Sequence, residues 1–138
     1  MKVFLLNPPF KNQYGHFSRT SRSPAITKSG TLYYPFWLSY AAGVLEDDGC
    51  DVKLVDACAS LLSKEEVYRE IERFAPQLVI IDTSTPSISN DVEIATNIKD
   101  ILNNVYIFVV GTHPSSLPDE VLRISNSLDG VCLGEYDY

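Results

Sequence analysis

The chain has 138 residues, a formal net charge of -7 and 45% hydrophobic residues. That length builds one core without covalent staples, and the acidic balance argues against general affinity for nucleic acid or anionic membrane. No apolar run approaches the roughly 18 residues that span a bilayer.

The first apolar run predicts a buried strand over residues 3–6, and Asn7-Pro8-Pro9 stops it too early for a signal peptide. Residues 10–34 are rich in Ser, Thr and Gly and carry Lys11, Arg19, Arg22 and Lys28 with no Asp or Glu. Such a segment reads either as a flexible solvated loop or as a basic flap over an anionic or amide-rich ligand. Pro35 suits the first turn of a helix whose apolar face is Phe36, Leu38, Tyr40, Ala41, Val44 and Leu45, with Gly49 as its stop. A second strand is expected over residues 52–56. Ser63 and Glu66 then form a capping box for a helix over residues 64–74, which Pro76 ends.

The third strand, residues 78–81, runs into Asp82-Thr83-Ser84-Thr85-Pro86, and Asn90 or Asp91 is expected to open the next helix through Leu102. Residues 105–110 form an uncharged run that predicts a strand buried on both faces. It leads into Gly111-Thr112-His113-Pro114, where Pro114 biases His113 away from helix, so Thr112 and His113 should project as a loop. Pro118-Asp119-Glu120 begins a short helix, and Val131-Cys132-Leu133 makes a fifth strand ending in Gly134-Glu135.

Strands alternating with helices at this spacing predict an α/β fold: a doubly wound (Rossmann-like or flavodoxin-like) five-stranded parallel sheet with helices on both faces, in one domain over residues 1–138. Ligands of such sheets bind beyond the carboxyl ends of the strands. The rim here is made of small hydroxyls, Gly and Pro with few charges, which suits packing of a large flat ligand better than acid-base chemistry. Asn7-Pro8-Pro9 cannot replace the Gly-rich turn of a dinucleotide site, and no Gly-Lys-Ser/Thr of a P-loop occurs. A receiver domain would need acidic residues after the first strand and a Lys after the fifth, and both are missing, although Asp82 lies near the end of the third. Ser84 and Ser115 are candidate nucleophiles with His113 as base, yet no Gly-x-Ser-x-Gly elbow is present. His16 and His113 are too few for a His-rich metal site. Cys50, Cys58 and Cys132 are odd in number and widely spaced, so reduced, packed thiols in a cytoplasmic protein are expected.

Several segments form a pattern in order: Asn7-Pro8-Pro9, Tyr34-Pro35 to Ala42 with Leu45 and Gly49, Val52-Lys53-Leu54-Val55-Asp56-Ala57, Thr85-Pro86, Gly111-Thr112-His113-Pro114-Ser115 and Gly134-Glu135. Together they resemble the N-terminal cobalamin (B12)-binding domain of cobalamin-dependent radical S-adenosylmethionine (SAM) enzymes, over nearly the whole chain. The resemblance implies a corrin held over the carboxyl edge of the sheet, with its dimethylbenzimidazole tail in a cleft beside the sheet. The positions it implies for that site are Asn7, Pro8, Pro9, Thr83, Ser84, Thr85, Pro86, Gly111, Thr112, His113, Pro114, Gly134 and Glu135, with no catalytic residue and no metal ligand from this chain. Tyr14-Gly15-His16-Phe17-Ser18-Arg19 lacks the Asp and final Gly of the Asp-x-His-x-x-Gly ligand motif of the other large cobalamin family. The sequence departs from the pattern at Val110 and Tyr136, where the family commonly has glycine.

SAM chemistry with a [4Fe-4S] cluster requires Cys-x-x-x-Cys-x-x-Cys, which the cysteines here do not supply. The chain is therefore expected to be the cobalamin module of a methyltransferase or cyclase-type enzyme, cut from a longer parent. Its partners would be cobalamin and a C-terminal radical SAM domain that carries SAM and the cluster. Two other readings stand beside it: a Rossmann-like interaction or regulatory domain with a degenerate or empty cofactor site, and a small hydrolase or transferase using Ser84 or His113.

Overall fold

A computed structural model of the chain describes residues 1–11, 15–19 and 24–136. In chain order they form β1 (Lys2–Asn7), β2 (His16–Ser18), β3 (Ala25–Thr27), α1 (Phe36–Asp47), β4 (Asp51–Asp56), α2 (Lys64–Phe74), β5 (Leu78–Thr83), α3 (Ile88–Ile101), β6 (Tyr106–Gly111), α4 (Thr112–Ser116), α5 (Pro118–Ile124) and β7 (Gly130–Val131). The main sheet is five-stranded in the order β4-β1-β5-β6-β7, and every neighbouring pair is parallel. The doubly wound α/β fold expected from the alternation is the fold observed.

Alternation along β1 divides the core into two layers. Phe4 and Leu6 pack with Val67 and Ile71 of α2, Ile94 and Ile98 of α3, and Val121 of α5. Val3 and Leu5 face the other way, onto Leu38 and Ala41 of α1. All are essentially inaccessible to solvent, and each of the larger side chains contributes about 1.5–3 kcal/mol on burial. Strand order reverses between β1 and β5, so their carboxyl ends splay toward opposite connections and leave a crevice above the sheet.

Helix α2 begins as its sequence requires. Ser63 Oγ accepts from the Glu66 amide at 3.2 Å, and Glu66 Oε2 accepts from the Ser63 amide at 2.8 Å. Ala75 closes the helix in the left-handed region at φ 50, just before Pro76.

Other boundaries differ from expectation, each for a local reason. Helix α3 starts at Ile88 instead of Asn90 or Asp91, because Ser84 O accepts the amides of Ser87 and Ile88 while the Asp91 carboxylate turns inward. Residues 112–116 form a one-turn helix where a loop was expected. Pro114 falls within its first turn, where an amide has no helical partner to lose, and Ser115 Oγ donates to Gly111 O at 2.7 Å. Strand β7 ends at Val131, two residues short of Leu133, which is exposed. Within residues 10–34 an antiparallel ribbon pairs Phe17 with Ile26, and Phe17, Ser18 and Arg19 are buried. This replaces the reading of a solvated loop, and Arg22 lies outside the described residues.

Among the described residues no helix is long and apolar enough to cross a membrane. All three cysteines are free thiols, Cys58 buried and Cys50 and Cys132 half-buried.

Candidate functional site

The crevice between the ends of β1 and β5 is filled by the chain itself. Arg19 leaves the ribbon and inserts its guanidinium there, where it is 1% exposed and Asp91 is 0% exposed. Arg19 Nη2 donates to Asp91 Oδ1 at 3.0 Å, Nη1 to Pro8 O at 3.0 Å and also to Asn7 Oδ1, and Nε to Ser87 Oγ at 3.3 Å. Asp91 further accepts from Thr83 Oγ1 and Ser87 Oγ, each at 2.7 Å, and from Asn90 Nδ2 at 3.0 Å. Burial pushes the Asp91 carboxyl up, and Arg19 with these donors opposes the shift. A paired and hydrogen-bonded buried charge is tolerated where a lone one is not. The network therefore pins the ribbon to α3 and closes the space nearest the switch point.

Open space lies one strand along. A cavity of about 420 Å³ sits beyond the carboxyl ends of β5 and β6, with the segment after β7 as its far wall. Its lining includes Arg19, Trp37, Asp82, Thr83, Gly111, Thr112, Ser115, Ser116, Gly134, Glu135 and Tyr136. That size matches small-ligand pockets, and the lining mixes two aromatic rings with a few hydroxyls and carboxyls. Gly111 adopts φ +114, and a Cβ there would overlap Thr83 O and stand 2.9 Å from Asp82 Oδ1. Only glycine fits this conformation at such close approach. Ser115 locks the rim: it donates to Gly111 O and accepts from the Gly134 amide at 3.0 Å. Burial pushes the Asp82 carboxyl up to about 7; Arg19 opposes the rise and Asp91 adds to it.

The strand-end positions singled out from the sequence separate into two groups. Thr83, Gly111, Thr112, Gly134 and Glu135 line the cavity. The others do not. Asn7 Nδ2 donates to Asp56 Oδ1 at 2.8 Å while its carbonyl serves Arg19. Pro8 O accepts from Arg19 and Cys58, and Pro9 O accepts from Asn90. Ser84 is buried with its hydroxyl 2.9 Å from that of Ser87. Thr85 and Pro86 are exposed on top of the rim. Buried His113 joins the rims of β5 and β6 through Nδ1, 3.2 Å from Thr85 Oγ1, and Pro114 is buried beside it.

Sequence reasoning did not assign Arg19, Trp37, Asp82, Ser115, Ser116 or Tyr136 to this cavity. Asp82 gave a signal, as an acid closing an otherwise apolar strand. Tyr136 gave another as a departure from glycine; it lines the cavity and packs on the α1-side core, while Asp137 lies outside the described residues. His16 lines a separate small cavity with Phe10, Phe17 and Cys58. Neither histidine is among the residues lining the larger one. Among the described residues no group of three or more His, Cys, Asp or Glu is placed to hold a metal ion.

Comparison with known proteins points in one direction. The profile of the family described as B12 binding domain matches residues 22–138. An uncharacterized methyltransferase of Pyrococcus horikoshii is 27% identical over 135 residues, which cover 98% of this chain and 27% of that protein. An anaerobic magnesium-protoporphyrin IX monomethyl ester cyclase of Rubrivivax gelatinosus is 28% identical over 102 residues, covering 73% of this chain and 18% of the cyclase. The protein of the same name from Cereibacter sphaeroides is 26% identical over 102 residues, covering 73% of this chain and 17% of its own length. The chain thus spans 27% or less of each of these relatives. No solved structure matches.

Proposed function

Since this chain belongs to the B12 binding domain family, we propose that it is the cobalamin-holding module of a radical SAM methyltransferase or cyclase-type enzyme. The corrin lies across the carboxyl rim of the sheet, and its benzimidazole nucleotide tail enters the cavity beside β6. The observation that carries this reading is the glycine cradle at Gly111. The backbone there is held in a glycine-only conformation against Thr83 and Asp82, on the wall of a cavity of about 420 Å³. Whole cobalamin is too bulky for that volume, whereas a slender nucleotide tail suits it.

The residues that fit a tail divide by chemistry. Trp37 and Tyr136 offer aromatic surface, and burying about 150–250 Å² of an aromatic base at about 25 cal/mol per Å² contributes around 4–6 kcal/mol before entropy costs. The hydroxyls of Thr112 and Ser116 offer hydrogen bonds around it, while Ser115, bonded to Gly111 and Gly134, holds the rim in shape. When bound, cobalamin supplies the cobalt-centred methyl-transfer or radical chemistry, and the protein's part is orientation and exclusion of water. SAM and the [4Fe-4S] cluster belong to another domain of the parent, which is this module's partner together with cobalamin. Support for a longer parent comes from relatives that extend well beyond the matched region, one a methyltransferase and two cyclases by name.

The test mixes the purified chain with hydroxocobalamin and follows coelution on gel filtration and the corrin spectrum. Bound corrin with a shifted spectrum is expected, and cobinamide, which lacks the tail, should bind at least about tenfold more weakly. Failure to bind at about millimolar ligand would overturn the reading.

A further inference from the structure

We propose that Asp82 selects the base at the end of the nucleotide tail, by donating a hydrogen bond from its carboxyl to an unprotonated ring nitrogen of that base. This deepens the reading of the cavity as the tail's slot and rests on it.

The geometry isolates Asp82 among the polar groups of the wall. It is 6% exposed yet lines the cavity, standing against Gly111, where a side chain would screen it. Its neighbours are already engaged: Arg19 with Asp91 and Ser87, Thr83 Oγ1 with Asp91, and Ser115 Oγ with Gly111 and Gly134. Among the described residues no side chain donates a hydrogen bond to Asp82, and the neighbouring Thr83 amide opposes the rise of its carboxyl. A carboxylate so buried with no side-chain donor is under-satisfied. A carboxylic acid there has one proton to give into the cavity.

Burial favours that form, against the pull of Arg19. Burial raises the carboxyl to about 7; Arg19 on the ribbon side lowers it, while Asp91 of α3 and Asp56 of β4 raise it. From the segment after β7, Glu135 and Tyr136 share the cavity wall; Gly111, Thr112, Ser115 and Ser116 from β6 and α4, and Trp37 from α1, add no charge. The donor exists only while the carboxyl is protonated, so affinity for a base with a nitrogen acceptor is greatest below neutral pH and falls as pH rises through about 7. A hydroxyl at this position would donate at every pH.

The experiment measures the affinity of the chain for methylcobalamin and methylcobinamide, whose methyl ligands do not titrate, at about pH 6 and about pH 8.5. Scaling by the protonated fraction, methylcobalamin should bind about 30-fold more weakly at the higher pH. Methylcobinamide, lacking the base, should show no such change. In Asp82→Asn the amide keeps an N–H donor at both values, so methylcobalamin affinity should become independent of pH, with methylcobinamide binding reporting an intact fold. A flat wild-type profile with methylcobalamin bound overturns the role of Asp82 and leaves the proposed function standing. A slope that persists in Asp82→Asn, or appears equally with methylcobinamide, assigns the titration elsewhere and also overturns it. No methylcobalamin binding at either pH overturns the tail slot and this proposal together.

Discussion

Replacing Arg19 by methionine is expected to destabilise the fold by about 3–5 kcal/mol, a large share of the roughly 5–15 kcal/mol available to a domain. Methionine retains most of the buried stem but leaves Asp91 inaccessible to solvent and without its cation. Asn7, Pro8 and Ser87 lose a donor in the same step. The cost comes chiefly from the stranded charge, so removing the charge as well should recover most of it. In Arg19→Met with Asp91→Asn, the amide oxygen still accepts from Thr83 or Ser87, and the loss should shrink to about 1–2 kcal/mol. Urea midpoints of the wild type, both single variants and the double variant close the cycle. A cost under about 1 kcal/mol for Arg19→Met would mean that the ion pair does not hold the ribbon in place.

Gly111→Ala is expected to cost at least about 3 kcal/mol and to lower corrin affinity more than tenfold. The backbone at φ 114 and ψ -171 lies in a region essentially reserved for glycine, worth about 1–3 kcal/mol on its own. The added methyl would then overlap Thr83 O, a backbone atom of the paired strand, and press on Asp82 Oδ1. Asp82 can turn its carboxyl aside, but the Thr83 carbonyl is backbone and has no end to swing away, so the rim between β5 and β6 must part. Gly134→Ala is the matching control. Its φ is +67, but nothing lies within 4 Å of the new Cβ, so only the left-handed penalty of about 1–2 kcal/mol applies. Thermal unfolding and corrin titration of the two variants separate close approach from simple backbone strain. Equal effects in both would contradict the cradle.

How much of this was legible in the sequence depends on whether a feature was local. The Ser63–Glu66 box, the stop at Ala75-Pro76 and the apolar strands were readable because period and capping act within a few residues. Asp91 misled because an acid near the start of an apolar-periodic stretch looks like a cap, whereas its partners are Arg19, 72 residues away, and Thr83. Pro114 misled because its bias on His113 was weighed without the freedom of Gly111 to open a helix. The ribbon was hidden because a single buried cation positions it. At the site, glycines and hydroxyls at strand ends could be listed from topology alone. Trp37 and Tyr136 reach the cavity only through packing of α1 and of the segment after β7.

The central claim is that the tail occupies the cavity and that this chain places no nitrogen on the cobalt. Electron paramagnetic resonance of bound cob(II)alamin tests it most directly. With the tail held beside β6, with buried His113 turning Nδ1 to Thr85 and with His16 in a separate cavity, the spectrum should lose the nitrogen triplet splitting of the free cofactor on binding. A triplet retained by stoichiometrically bound cob(II)alamin would contradict the account.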